Sequence, residues 1–243
     1  MVTTLYLIRH GALEGGGPKR YNGSIDIPMS EEGILQIKEA SAFIRELLNS
    51  AGRSKYLSYL KDVHDAAGST EEQGAGKTEA RPGLDAVYCS DLSRAVTSAE
   101  IIAGPHGLVP VKMPDLRERS FGVWEGMTFS EIKERFPGEF EAWADNPLAH
   151  SPVGGESTLE VKERVVKALN EILNRHIGDT IVVVAHGGVN RILICDILGM
   201  PLENIFRVEQ DYGAVNVIEF WDRYPVVKLL NGKPGTYESD RIL

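Results

Sequence analysis

Short β-branched runs alternate with longer stretches of helical periodicity, and this alternation constrains the fold more than any other feature of the chain. Leu5–Ile8, Ala86–Tyr88, Val109–Met113, Thr180–Ala185 and Val215–Phe220 have strand patterns. Ser30–Asn49, Asp91–Ala103, Phe129–Phe136, Ser157–Arg175 and Val189–Leu198 have helical ones. In the first of these helices Ser30 is the expected N-cap. Glu31 and Glu32 stand at the positive end, and Ile34, Ile37, Ala40, Ala42, Ile44 and Leu47 form an apolar side at roughly helical spacing. Strands alternating with helices predict an α/β domain built on a mostly parallel sheet. Sites in such sheets form at the carboxyl ends of the strands. His10, Ser90 and His186 each directly follow a strand pattern, so one sheet edge should gather all three.

Length and composition narrow the class. The 243 residues are 42% hydrophobic and 25% charged, which suits one domain spanning 1–243 with an insertion. The insertion is expected at 50–83, a stretch too long for an ordinary connection. Its first half has a short amphipathic pattern (Tyr56, Leu57, Leu60, Val63), and its second half is polar and Gly-rich, as in a surface loop. Gly76-Lys77-Thr78 looks like the end of a P-loop, but Glu71 occupies the required glycine position and no strand precedes it, so no nucleotide site is expected there. Residues 228–243 read as a short C-terminal tail. No apolar run approaches the roughly 18–20 residues of a membrane span, and Met1-Val2-Thr3-Thr4 is no signal peptide, so a cytoplasmic location is expected. A net charge of −9 argues against a nucleic-acid partner but not against a small anion in a locally basic pocket. Cys89 and Cys195 lie in apolar patterns and are expected to be buried, reduced thiols.

The chemistry is concentrated in six segments: Arg9-His10-Gly11, Ser90-Asp91-Leu92-Ser93-Arg94, Leu116-Arg117-Glu118, Phe121-Gly122-Val123-Trp124-Glu125-Gly126, Gly154-Gly155-Glu156-Ser157 and Val184-Ala185-His186-Gly187-Gly188. Any one of them alone would be unremarked: an Arg-His pair on a surface, a loop histidine before two glycines. Two histidines, each at a strand exit and each before glycine, point jointly to a phosphate pocket. Transfer of a phosphoryl group from an ester needs a nucleophile, cations around the equatorial oxygens and a proton for the leaving oxygen. His10 is the candidate nucleophile, with its second ring nitrogen held by an acceptor such as a backbone carbonyl. Arg9 and Arg94 are planar forks that match phosphate oxygens, and His186 is a further donor. Gly187 and Gly188 allow close backbone approach at a helix N-terminus. Glu118 and Glu125 are the carboxylates that could supply the proton.

Together these segments resemble the histidine phosphatase superfamily, the phosphoglycerate mutase-like fold, over almost the whole chain except 50–83 and the stretch after about Val227. The resemblance implies a three-layer sandwich with helices on both faces of the sheet. It implies an enzyme without metal or other cofactor, passing through phospho-His10, with Arg9, Arg94 and His186 around the phosphate. Glu118, in a Leu-x-Glu setting upstream of Trp124-Glu125-Gly126, matches the family's acid, which leaves Glu125 a structural part. Arg20-Tyr21-Asn22-Gly23 looks like the substrate-side loop, with Asn22 and Gly23 as substrate contacts. Gly155-Glu156-Ser157 with Arg164 is similar to the phosphatase branch and to bacterial α-ribazole phosphatases of cobalamin synthesis. Gly16 stands where many members have a phosphate-contacting Asn, and Thr97-Ser98 where many have Gln-Thr. Mutases of this fold carry a longer, more basic insert than Glu118–Gly126 offers. The expected activity is therefore hydrolysis of a small phosphomonoester, with α-ribazole 5′-phosphate a candidate. A cofactor-dependent phosphoglycerate mutase and a non-catalytic phosphate-ester-binding protein are the alternatives.

The remaining histidines and tryptophans are weaker signals. His64 and His106 are expected to be exposed, His176 to end a helix, and His150 to be a candidate for the substrate side. Trp124, Trp143 and Trp221 should be packing residues. Val215–Phe220 is a candidate edge strand. No carboxylate cluster has metal-ligand spacing.

Overall fold

Strand β1 (Thr3–Arg9) is apolar on both faces, as a strand covered on both sides must be. Leu5 and Leu7 point into one core, and Tyr6 and Ile8 into the other. The structure, a computed structural model, describes residues 2–15, 20–50, 83–221 and 224–235. The expected insertion at 50–83 therefore lies almost entirely outside the described residues, as do Gly16, His64 and the end of the tail.

After β1 come α1 (Glu31–Ser50), β2 (Ala86–Cys89), α2 (Ser93–Ala103) and β3 (Val111–Lys112). They are followed by α3 (Phe129–Arg135), α4 (Pro137–Asp145) and α5 (Thr158–Arg175). The chain ends with β4 (Thr180–Ala185), α6 (Gly187–Ile197), β5 (Val215–Phe220) and β6 (Pro225–Gly232). The six strands form one sheet in the order β3-β2-β4-β1-β5-β6. Pairing is parallel from β3 through β1, while β5 runs antiparallel to both β1 and β6. Helices α5 and α6 cover one face through Val161, Val165, Leu169, Ile172, Val189 and Leu193. Helices α1 and α2 cover the other through Ile37, Ala40, Ile44, Ala95, Ala99 and Ile102. The α/β fold and its mostly parallel sheet agree with the alternation in the sequence. No helix among the described residues is long and apolar enough to cross a membrane.

Several expected boundaries shift for local reasons. Helix α2 begins at Ser93 because Asp26 accepts hydrogen bonds from the Ser93 amide and hydroxyl, fixing the chain there. Helix α6 begins two residues early, at Gly187, with His186 in the N-cap position. The run Val109–Met113 supplies only the two-residue β3, since Val109 and Val111 face solvent and have no core to fill. Val215–Phe220 is interior rather than an edge, because Pro225–Gly232, whose second half falls in the expected tail at 228–243, pairs beyond it as β6. Helix α4 was not anticipated. Pro137 opens it at N1, and Phe136 is held out of the helical region by the proline that follows. Ser30 does cap α1, accepting from the Gly33 amide at 3.1 Å. Ser157 and Thr128 form capping boxes with Glu160 and Glu131. Cys89 and Cys195 are buried free thiols, and burial pushes Cys89 up to about 12.

Candidate active site

The carboxyl ends of β1 and β4 bring His10 and His186 together. The His10 amide donates to the Ala185 carbonyl at 3.1 Å, which continues the β1–β4 ladder one step past the strand. The two imidazole rings meet edge to face with centroids 5.1 Å apart. Both side chains are buried. A side chain on Gly11 would run into the Gly33 backbone at the start of α1, so only glycine lets β1 turn away after His10.

The hydrogen bonds fix both tautomers. His10 Nδ1 lies 2.8 Å from the Gly11 carbonyl, which can only accept, so Nδ1 carries the hydrogen and Nε2 keeps its lone pair. Arg94 Nε, which can only donate, lies 3.3 Å from His186 Nδ1, so the hydrogen of His186 is on Nε2. That Nε2 is buried without a partner. Burial, then Arg94 and Arg9, hold His10 well below the ordinary histidine value. Burial, then His10, Arg94 and Arg9, do the same to His186. Both rings are neutral at physiological pH, as a nitrogen nucleophile and an N–H donor require.

Two guanidiniums flank this pair. Arg94 is 2% exposed although charged, and its terminal nitrogens donate to the Ile25 and Gly23 carbonyls, both at 2.7 Å. Arg9 donates from Nη1 to the Gln210 carbonyl at 2.6 Å, and its buried Nε has no partner. Neither forms an ion pair with a carboxylate among the described residues. Arg94 is buried and Arg9 half-buried, and each is held by backbone carbonyls, with Glu118 acting on both only through space. Together with the unpartnered His186 Nε2–H and Arg9 Nε–H, they offer donors of the kind that a phosphate's oxygens accept from.

Glu118 stands opposite. Its Oε2 accepts from the Gly188 amide at 3.0 Å and its Oε1 from the Arg119 amide at 3.0 Å. A scaffold holds its backbone. Arg164 forks onto Glu156 at 2.7 and 2.8 Å and donates to the carbonyls of Asp115, Arg117 and Glu118. Burial works against the Glu156 charge, but the Arg164 fork and the Ser120 amide outweigh it and hold the carboxyl below its usual range. Arg119 is committed to the Glu156 and His150 carbonyls and the Thr158 hydroxyl. Glu125 accepts from the Ser24 amide and hydroxyl and from the Phe121 amide, tying the Tyr21–Ile25 loop to the Ser120–Gly126 segment.

The structure thus brings together Arg9, His10, Arg94, Glu118, His186 and Gly187. Gly23 joins them through its carbonyl on Arg94, and Asn22 is its half-buried neighbour. His150 instead stacks on Trp124, with ring centroids 6.0 Å apart, among Trp143, Phe129 and Phe140. His106 is half-buried rather than exposed, and burial lowers its proton affinity. His176 bridges the Tyr88 hydroxyl and the Asp179 carboxylate, both at 2.9 Å. Among the described residues no three His, Cys, Asp or Glu side chains gather as a metal site.

Tyr212 is the pocket neighbour that sequence reading missed. Its ring lies 5.6 Å from that of His10, and the Arg9 guanidinium carbon is 3.8 Å from its centroid. No strand exit marks it, because β5 is antiparallel. The entry of β5, where Val215 pairs with Ile8, is what reaches the active edge.

Known proteins resemble the chain over most of its length. The family model described as "Histidine phosphatase superfamily (branch 1)" matches residues 5–84 and 65–233. Phosphoserine phosphatase 1 of Hydrogenobacter thermophilus is 30% identical over 227 residues, 93% of this chain and 91% of that protein. The adenosylcobalamin/α-ribazole phosphatase of Escherichia coli is 24% identical over 94% of this chain and 96% of its own. The crystal structure of the α-ribazole phosphatase from Shigella flexneri superimposes with a TM-score of 0.72 at 23% identity, covering 94% of this chain and 96% of that one.

Proposed function

The chain belongs to the histidine phosphatase superfamily, and from that premise we propose that it hydrolyses a small phosphomonoester through a phosphohistidine on His10. The observation that carries this reading is the lone pair that the tautomer leaves on His10 Nε2, in a ring that meets His186, with its unpartnered Nε2–H, and whose charge the buried Arg94 and half-buried Arg9 oppose. In the first step Nε2 attacks phosphorus, the phosphorus–oxygen ester bond breaks, and the Glu118 carboxyl gives its proton to the leaving alkoxide. In the second step a water attacks the phosphohistidine, the Glu118 carboxylate takes the water's proton, and inorganic phosphate leaves. Arg9, Arg94 and His186 Nε2–H hold the equatorial oxygens throughout, a clamp whose dipoles are already in place when charge develops.

Hydrolysis is favoured over mutase action by the state of Arg119. Its guanidinium is spent on two carbonyls and a hydroxyl, so it is no clamp for a substrate carboxylate. By the same argument an ester without a carboxylate, such as α-ribazole 5′-phosphate, suits the site, and the name of the E. coli relative supports that substrate; with it would go a cytoplasmic place in cobalamin synthesis. Phosphoserine is the second reading, and the 30% identity to a phosphoserine phosphatase favours it.

Hydrolysis of p-nitrophenyl phosphate in EDTA, wild type beside His10→Ala, tests the chemistry. Turnover by the wild type alone is expected. Turnover by both would remove His10 as the nucleophile, and phosphate-ester binding without turnover by either would favour a binding protein. Comparing kcat/KM on α-ribazole 5′-phosphate and phosphoserine then decides the substrate.

A further inference from the structure

We propose that Tyr212 is a positioning residue of this pocket, and that its ring face, not its hydroxyl, holds the Arg9 guanidinium beside His10. The inference rests on the phosphomonoesterase reading and concerns a residue to which that reading gives no role. Two surfaces crowd the Arg9 guanidinium. The Tyr212 ring lies 3.8 Å from its central carbon, the separation of a cation–π contact. The first turn of α6 is so close that a Cβ on Gly187 would sit 3.2 Å from the same carbon. There one hydrogen bond, Nη1 to the Gln210 carbonyl, fixes rotation, and Nε is left for a ligand. Among the described residues no carboxylate lies within ion-pair distance of it, so one hydrogen bond and the ring face hold the long side chain in place.

Tyr212 is itself fixed. The Gly213 amide is shared between the carbonyls of Arg9 and His10, both at 3.2 Å, so the turn carrying Tyr212 is bonded to the backbone it serves. Behind it, the buried amides of Gln210 and Asn216 bond each other, and Asn216 also bonds the Leu7 carbonyl. The Asp211 amide is held by Asn231 of β6. The Tyr212 hydroxyl, by contrast, has no hydrogen-bond partner among the described residues. What the surroundings organise is the ring.

The test compares wild type, Tyr212→Phe and Tyr212→Leu for inorganic phosphate affinity by calorimetry and for KM and kcat on p-nitrophenyl phosphate. Tyr212→Leu should bind phosphate roughly tenfold more weakly, with KM moving more than kcat, and Tyr212→Phe should restore affinity to within about twofold of wild type. In an Arg9→Gln background Tyr212→Leu should cost no further affinity, a coupling that a merely structural role would not show. Wild-type affinity in Tyr212→Leu overturns the proposal. So does a Tyr212→Phe that fails as badly as Leu, or an undiminished loss in the Arg9→Gln background. If Tyr212→Leu does not fold, Tyr212→Gln takes its place in the same comparison. Phosphate binding by a wild type that turns nothing over would sink the hydrolase reading and leave this one to be decided by the affinities. A wild type that binds no phosphate overturns both.

Discussion

Gly188 and Glu118 are in contact across 70 residues of sequence: the Gly188 amide donates to Glu118 Oε2 at 3.0 Å, and a Cβ on Gly188 would lie 2.6 Å from Oε1. The second glycine of His186-Gly187-Gly188 therefore serves the carboxylate, while the first leaves room for Arg9.

Gly188→Ala should push the carboxylate off its station without unfolding the helix. Displacing a catalytic group by about 1 Å can cost on the order of 10²-fold. A loss of that size in kcat, with KM and circular dichroism nearly unchanged, is the expected outcome. An unaltered kcat would show that the placement of Glu118 does not matter to the reaction.

Glu118→Gln should discriminate between leaving groups. General acid catalysis contributes about 10²–10⁴-fold where the leaving oxygen needs a proton. An alkyl phosphate should therefore lose far more rate than p-nitrophenyl phosphate. Equal losses on both substrates would assign Glu118 to activation of water alone.

Arg164→Met should act at a distance from the phosphate. It removes the fork on Glu156 and the donors to the Asp115, Arg117 and Glu118 carbonyls. A buried hydrogen bond to a charged group contributes about 2 kcal/mol, but this set is partly exposed and screened, so its net contribution is of the order of one such bond. A fall of about that amount in unfolding free energy is expected, with kcat reduced about tenfold and the Kd for inorganic phosphate unchanged. Weakened phosphate binding would mean that Arg164 supports the phosphate clamp and not the acid.

Stability should fall on mild acidification. Burial and the two arginines depress His10 and His186 in the folded protein, whereas in the unfolded chain they titrate near 6.5. Below about 6.5 the unfolded state binds more protons, so stability is full above that pH and is lost from there down towards the depressed folded values. The limiting slope is about 1.4 kcal/mol per pH unit for each group, or about 2.7 for both. Urea unfolding at pH 7.5, 6.5 and 5.5 measures it, and His10→Gln should remove half of the slope. An identical slope in that variant would show that His10 is not what the acid titrates.

The sequence made the fold and the pocket legible where function and periodicity coincide. His10 and His186 follow parallel strands, so the strand pattern placed them as well as the chemistry did. Where the periodic signal is local but the cause is tertiary, reading failed. Pro225–Gly232 becomes a strand because β5 offers it an edge, and Val109–Met113 shrinks because nothing covers it. Tyr212 sits in a turn with no pattern of its own, and only the reversed direction of β5 brings it to Arg9. Arg164 and Glu156 were visible as a resemblance, but their work, holding the peptide of Glu118, needed coordinates.

The reversal of β5 also orders events in time. Arg9 precedes its carbonyl acceptor by 201 residues, for that acceptor and the aromatic partner belong to the turn that enters β5, and β1 itself lies between β4 and β5. A chain still growing on the ribosome has His10 and both arginines long before it has the surroundings that keep them in register. The setting that holds Arg9 is complete only once the turn before β5 is made and β5 has paired with β1.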